Sequence, residues 1–587
     1  MLRLKAKGMF APYASRAALV AAISAGLAPV EDRVYFAGDL MFQGRTGSTA
    51  ISDLPGLVPA STVYARHFGA RENYVPATDS GTDDLAAINA ALAYLATVDV
   101  RISGGVVVIK GQAVVTGPIN LPVGAFLEGF VSPASSNSGQ IIPSTFPITY
   151  DRSSAIIGSH TNGPIVRAQF SQSGARDLTL GATEARRAAT IGTADNWNGG
   201  IMFAGPDLDT NPQIFYAKGT RLCIQDQPAD ALVICGQTIQ FEMEDVEVLN
   251  CGRHAFVIDN GEGIGRVNKY RPGIGRMINC RAKNTGGHAL VIGNPNSGSD
   301  IPYRVFVDSF ESFRAGNVGA SLYISAACYC AAENIIFQNC AVSSTSGTSG
   351  TVPTLTWNYA IAGRDILFLS GRYISHVSAA IRIMDYTAIG NRGIRVIGGH
   401  ASTQQDPKPT NFVSIEAGCF LRMLQIDGIT GDFTSNPISR TGLDASWTIQ
   451  ETYNETIWSH GFEFENISTT PILDNNGITS GSFSLADNAA VTIPIALNGA
   501  TAVFGKLLLS ANVAAALPST VDFRLGSSPY VLVTGGSATA RTGALNGTTG
   551  VDGNLSVSAD GSNFRIENRT GALRTYGFTI TSLTSIA

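Results

Sequence analysis

Val248-Leu-Asn-Cys, Met277-Ile-Asn-Cys, Phe306-Val-Asp-Ser, Ile336-Phe-Gln-Asn, Leu367-Phe-Leu-Ser, Val396-Ile-Gly-Gly and Gln425-Ile-Asp-Gly are variations on one short strand that runs into a turn. Aligning Leu249, Ile278, Val307, Phe337, Phe368, Ile397 and Ile426 gives steps of 29, 29, 30, 31, 29 and 29 in sequence position. A fixed period of this size marks a stacked repeat, in which each unit buries its apolar face against its neighbours. Between these strands lies a second one, seen as Ala231-Leu-Val-Ile, Ala255-Phe-Val-Ile, Ala289-Leu-Val-Ile, Ser321-Leu-Tyr-Ile, Ala380-Ile-Arg-Ile and Phe412-Val-Ser-Ile. Its first three steps, 24, 34 and 32, vary more because the connecting turns differ in length. Helical repeats need apolar spacings of three and four sustained over several turns, whereas Phe241-Glu-Met-Glu-Asp-Val-Glu-Val largely alternates. The reading is therefore all-β: a coil whose successive turns stack as parallel strands, with two or three short strands in each turn.

On either side of this ladder, the texture of the chain predicts three regions. Residues 1–65 carry a short Ala-rich helix and a hairpin-like stretch at Arg33-Val-Tyr-Phe-Ala-Gly-Asp-Leu-Met-Phe, too small to fold well alone. Residues 66–476 form the β-helix, capped by a helix over 83–96 that begins at Asp83 and aligns Leu85, Ile88, Leu92 and Leu95 on one face. An open end of such a coil is an unpaired strand edge, so a plug is expected there. Residues 477–587 are rich in Gly, Ala, Ser and Thr around strands such as Tyr530-Val-Leu-Val-Thr, and read as a β-sandwich.

Composition narrows the function classes. The 587 residues are 44% hydrophobic and 14% charged, which is too apolar for a disordered chain, and the 64 glycines suit many tight turns. With a net charge of -5 and no basic block, nucleic acid is not an expected partner. No stretch approaches the ~20 apolar residues of a membrane span, so membrane insertion is not expected. The eight cysteines lack paired CxxC spacing and read as buried thiols made in a reducing cytoplasm. Lys5 and Lys7 followed by the apolar run Ala17 to Leu27 share the outline of a secretory signal, but Ser24 and Gly26 break the run and a short amphipathic helix fits as well.

Tyr64-Ala-Arg-His-Phe-Gly-Ala-Arg, Asp79-Ser-Gly-Thr-Asp-Asp-Leu-Ala-Ala-Ile-Asn-Ala-Ala and Gly104-Gly-Val-Val-Val-Ile-Lys-Gly resemble the opening of the pectate-lyase-like β-helix superfamily, which includes polygalacturonases and phage tailspikes. Upstream, Ser15-Arg-Ala-Ala-Leu-Val-Ala-Ala and Ile51-Ser-Asp-Leu-Pro-Gly-Leu-Val-Pro resemble the segment of tailspikes that follows the virion-binding end. The resemblance implies a single-stranded right-handed parallel β-helix, a homotrimer, and an N-terminal, virion-proximal segment that joins a phage tail or baseplate protein. It implies a bacterial surface polysaccharide as partner, and a place in the virion tail after assembly in the host cytoplasm. The C-terminal sandwich would then serve trimerisation or carbohydrate binding.

Cleavage of a sugar chain needs an acid and a base flanking the bond. In polygalacturonases, Asp-Asp-Cys-Ile-Ala-Ile on one coil stands beside Gly-His-Gly-Ile-Ser-Ile on the next, with Ile-Arg-Ile-Lys further on. Ala229-Asp-Ala-Leu-Val-Ile resembles the first with its leading Asp lost, and Arg253-His-Ala-Phe-Val-Ile resembles the second with its glycines lost. The resemblance thus points to Asp230 and His254 as catalytic, and to Arg382 as a substrate-binding cation. Gly287-His-Ala-Leu-Val-Ile repeats the motif at His288, a further substrate-binding candidate. Since the family's inverting pair is incomplete here, another carboxylate must complete it. Candidates are the outward run Glu242, Glu244, Asp245 and Glu247, and Asp259 with Glu262 after the His254 strand. Asp308, Glu311 and Arg314 form the reserve group, and exposed Tyr323, Trp357, Tyr359 or Tyr386 could stack on sugar rings. The competing reading is plain: Asp, Asn and His before a strand are common turn residues, and an outward Glu on an alternating strand is usually a solvated face. No metal site or cofactor is expected, because the acids are too scattered for a calcium cluster. The expected function is a tailspike that depolymerises capsule, exopolysaccharide or O-antigen, with a non-catalytic receptor-binding fibre and a secreted pectinase-like hydrolase or lyase as the alternatives.

Overall fold

The computed structural model describes residues 13–27, 33–45, 48–60, 62–97, 105–130, 154–189, 198–205, 213–260, 270–293, 300–316, 324–343, 355–374, 379–384, 391–402, 411–416, 421–431, 438–439, 456–459, 479–494, 502–511, 518–561 and 563–586. The chain folds as an all-β parallel β-helix with a C-terminal sandwich. It divides into two compact units, Met1–Ile361 and Ala362–Ala587.

One coil shows how the sequence makes the fold. Leu232–Ile234 is its first strand, Gln237–Ile239 its second, and Glu242–Cys251 supplies a third and a fourth, bent at Asp245. Single residues in the left-handed region make the corners: Gln240 at φ 60°, Asp245 at 54° and Asn250 at 53°. Such a residue turns the chain within one position, and Asn and Asp tolerate it better than most side chains. Phe256–Ile258 then returns over Leu232–Ile234, with parallel partners Leu232↔Phe256, Val233↔Val257 and Ile234↔Ile258. These first strands are buried at every position, which explains why they read as unbroken apolar runs. The third and fourth strands instead alternate between core and solvent, as Glu242 to Val248 do.

The sequence alignment of the coils is correct for some strands and shifted for others. Leu232, Phe256 and Leu290 stack as aligned. The strand that stacks on Leu290 to Ile292 is Cys328–Cys330, which lies beyond the Ser321 segment that the alignment assigned to it. In the other series, Val307 pairs with Phe337 as aligned, but Leu249 pairs with Lys283 and not with Ile278. Ile278 lies beside Glu244 and Asp308, Phe368 beside Val396, and Val396 beside Ile426. The physical reason is that Asn250 and Asn279 occupy different corners. Asn250 ends a fourth strand, whereas Asn279, at φ 52°, separates a third from a fourth. Both corners select a left-handed Asn after apolar residues, so their motifs look alike. The coil that starts at Leu232 therefore carries four short strands, and the described part of the coil from Leu290 carries three, where the period suggested two or three.

A helix packs beside the first strands of the β-helix. The helix Leu85–Thr97 buries Ile88, Ala91, Leu92 and Leu95 against the strands Gly105–Ile109 and Ile119–Leu121. Asp83 accepts from the Leu85 amide at 3.1 Å, and the Asp84 carboxylate binds the amides of Arg71 (2.7 Å) and Glu72 (2.8 Å). Ahead of it, the helix Arg16–Ser24 and the antiparallel strands Val34–Ala37, Leu40–Gly44 and Leu57–Pro59 share a small core of Leu19, Tyr35, Phe42, Leu54 and Leu57. Among the described residues no helix is long and apolar enough to cross a membrane.

In the second unit the coil pattern continues, with Ala379–Ile383 beside Asn411–Ile415 and Asn391–Ser402 beside Leu421–Gly431. Its C-terminal part is a sandwich of a five-stranded and a four-stranded sheet. Leu507, Val521 and Phe523 of one sheet meet Val557, Phe564 and Ile566 of the other.

Candidate functional site

Of the residues that the family resemblance singles out, Asp230, His254 and His288 stand together and are buried. Asp230, His254 and His288 occupy the same place before consecutive first strands, and their exposures are 0%, 1% and 0%. Asp230 forms an ion pair with Arg253, whose Nε lies 2.6 Å from Oδ1, and accepts from the His254 amide at 3.0 Å. His254 Nδ1 accepts from the His288 amide at 3.0 Å, its ring stacks on that of His288 at 5.1 Å, and His288 Nδ1 lies 2.8 Å from the Ala326 carbonyl. Burial pushes His254 down to about 4, against the opposing pull of Asp230, and lowers His288 well below the usual histidine range. Burial would raise Asp230, but the Arg253 guanidinium, together with His254 and its amide, opposes it and the net direction is down. A carboxylate held in this way is closed to a polymer lying on the outside of the coil. Asp259 is also 0% exposed, and its amide binds the Ile234 carbonyl at 3.1 Å. Glu262, Tyr323, Tyr386 and Cys419 lie outside the described residues; Tyr359 is buried and Trp357 half-buried. Arg382, in the second unit, binds Glu416 at 2.6 Å.

The outward carboxylates behave differently. On the third strands they are matched along the stack: Glu242 lies 3.5 Å from Lys218, and at the corner one coil earlier Arg221 binds Asp177 at 2.7 Å. Glu244 is half-buried and Asp245 exposed, both beside that Arg221 corner. Asp308 accepts from Ser309 Oγ at 3.2 Å and Asn339 Nδ2 at 3.3 Å.

On the fourth strands the arrangement is of another kind. Glu247, Arg281 and Glu311 stand on three successive coils in register. Arg281 reaches both acids, with Nη1 3.8 Å from Glu247 and Nε 2.7 Å from Glu311. Because one guanidinium spans the gap, the nearer carboxylate oxygens are at most about 9 Å apart, below the roughly 9.5 Å upper limit of an inverting pair. Glu247 is 21% exposed and Glu311 53%. Burial raises the Glu247 carboxyl above its ordinary value, Arg281 and Lys283 oppose this, and the charge of Glu311 adds to it. Two residues further along the same face, Lys283 pairs with Phe313, which is 43% exposed. On the next coil Ala341 follows Glu311 in register.

The site therefore holds a shielded acid, a second carboxylate and an open aromatic ring. Of the sequence candidates it brings together Glu247, Glu311 and Arg314, while Asp308 lies on the neighbouring third strand. Arg281, Lys283 and Phe313 were not singled out in the sequence. Their signal is the repeat of Arg281-x-Lys283 over Glu311-x-Phe313, legible only once Asn279 and Ser309 are recognised as the same corner. Among the described residues no cluster of His, Cys, Asp and Glu is placed to hold a metal.

No family model and no curated protein sequence matches this chain. Among solved structures the backbone is similar to Geobacillus virus E2 ORF18, at 14% identity and a TM-score of 0.46, covering 96% of this chain and 98% of that one. It is similar to the A-module of Azotobacter vinelandii mannuronan C-5 epimerase AlgE4, at 15% identity and a TM-score of 0.42, covering 65% and 98%. A third is gp49 of Acinetobacter baumannii bacteriophage Fri1, a tailspike and capsular polysaccharide depolymerase, at 11% identity and a TM-score of 0.35, covering 94% and 96%. These are likenesses of backbone; the parallel β-helix itself is seen directly in the strand pairings of this chain.

Proposed function

We propose that the chain is a phage tailspike subunit that binds a bacterial surface polysaccharide and hydrolyses it with Glu247 as general acid and Glu311 as general base. The observation that carries this reading is the pair itself: two outward carboxyl groups bridged by Arg281, one of them shielded and raised. Glu247 in its neutral form donates its proton to the glycosidic oxygen as the C1–O bond breaks. Glu311 takes a proton from a water that attacks C1 from the opposite face, so the product is inverted; Glu247 leaves the cycle as carboxylate and regains a proton from solvent, while Glu311 leaves it protonated and releases its proton to solvent. Because the Glu247 carboxyl is raised, the alkaline limb of the kcat profile belongs to its deprotonation. Attachment to a tail through the N-terminal segment, and assembly as three copies, belong to the same reading.

The test is Glu247→Gln and Glu311→Gln, each assayed for new reducing ends on purified capsule or O-antigen. Each change is expected to lower kcat by roughly 10²- to 10⁴-fold while circular dichroism is unchanged. Full activity in either variant overturns the assignment. Wild-type protein that binds polysaccharide without releasing reducing ends is the adhesive fibre.

A further inference from the structure

Resting on the proposed hydrolase site, we infer that the sugar seated beside the Glu247–Glu311 pair is acidic, and that Lys283 and Arg314 hold its carboxylate on either side of Phe313. The substrate class would then be an anionic, uronate-bearing polysaccharide.

The argument starts from charge placement. Overall the chain is acidic, at -5, and several of its outward charges on neighbouring coils are matched: Lys218 with Glu242, Arg221 with Asp177, Arg271 with Glu333. Arg281 belongs to this pattern, because it is shared by Glu247 and Glu311. Lys283 and Arg314 do not. Neither forms an ion pair among the described residues, yet they converge on one ring, with Lys283 Nζ 5.9 Å and the Arg314 guanidinium carbon 5.1 Å from the centre of Phe313. Placing two cations together on a surface costs free energy. The acid whose field reaches Lys283 is Glu247, which Arg281 already engages, so the pair keeps an unmatched positive charge. An anionic ligand would match it.

Geometry points to a sugar. Phe313 lies two residues from Glu311 on an extended strand, roughly 7 Å along the same face. A pyranose stacked on that ring is thus one sugar unit from the bond that the carboxylates flank. An apolar ring face suits the C–H side of a pyranose, while a carboxylate at its edge meets ammonium and guanidinium donors. The strand beyond leaves room, since Ala341 stands next to Glu311 and Ser343 is also small.

Arg314 also occupies a costly conformation for its position. It sits at φ 57°, at the corner where the stacked positions on the two preceding coils are Asn250 and Asn284. An asparagine there would satisfy the backbone equally well, so nothing in the corner itself calls for an arginine.

The experiment compares wild type with Lys283→Gln, Arg314→Gln and the double variant. Gln already occupies left-handed corners at Gln172 and Gln240, so the fold should accept it at 314. A panel of purified bacterial capsules, acidic and neutral, is screened by reducing-end release and by affinity electrophoresis through gels containing each polymer. The expected result is cleavage of an acidic capsule, with KM raised at least tenfold in the double variant and kcat nearly unchanged. Reducing the carboxyl groups of that capsule to alcohols should weaken wild type to the level of the variant. Cleavage confined to neutral capsules, or an unchanged KM in the double variant, overturns the inference and leaves the hydrolase reading standing. Binding to acidic capsules that is lost in the double variant, with no cleavage by any protein, supports the anion subsite and overturns the hydrolase reading. Binding to no capsule overturns both.

Discussion

Among single residues, exposure separates two carboxylates to which the proposed function gives different roles. Asp230 and Glu247 are both carboxylates of one coil, yet the first is sealed against Arg253 and the second faces solvent beside Arg281. A buried ion pair that loses one partner leaves a charge unmatched in a poor solvent. Asp230→Asn is therefore expected to destabilise the fold by about 3 kcal/mol, read from the shift of a urea unfolding midpoint. Turnover per folded molecule should be unchanged. Loss of turnover with an unshifted midpoint would return Asp230 to the chemistry.

Among elements, the corners decide how coils register, and one corner stack has a titratable member. Asn284 Nδ2 donates to Asn250 Oδ1 at 3.1 Å, and Asn250 Nδ2 to Asp226 Oδ1 at 3.3 Å, so Asp226 ends a ladder that is otherwise asparagine. Burial pushes the Asp226 carboxyl up to about 7, opposed by Arg187 and by the Asn250 hydrogen bond. In the folded state it binds its proton more tightly than in the unfolded chain, whose value is near 3.8. Its contribution to stability is thus fully present below about pH 4, and is lost as pH rises towards 7. Asp226→Asn completes the ladder with an uncharged residue that suits φ 60°. The variant and wild type should unfold at similar urea concentrations at pH 4, and the variant at a clearly higher one at pH 8. A difference that does not change with pH would show that Asp226 keeps its charge in the fold.

For the molecule as a whole, each coil can bury apolar surface only against its neighbours, and exposed Tyr216 and Ile274 remain on the first unit. As part of the proposed function, three chains of 61.4 kDa each should associate. Light scattering in dilute buffer should return about three times the chain mass. A monomer at that mass would remove the trimer from the proposal.

The fixed period of the coils, the plug helix after Asp83 and the Gly- and Ser-rich sandwich were legible in the sequence, because each depends on local rules: apolar alternation, a capping carboxylate, turn residues at strand ends. Four strands in a coil were not, since Asn250 and Asn279 announce two different corners with the same short motif. The neighbourhood of Asp230 and His254 was visible in the sequence as two matching motifs on adjacent coils. Which way they face was not visible, because a turn residue one place before a buried strand can point in or out, and only packing against Arg253 and His288 settles it. The Glu247–Arg281–Glu311 stack needed the tertiary structure for the same reason. Its members are a full coil apart in sequence, and a register error of one position on a strand of period two turns every outward charge into the core.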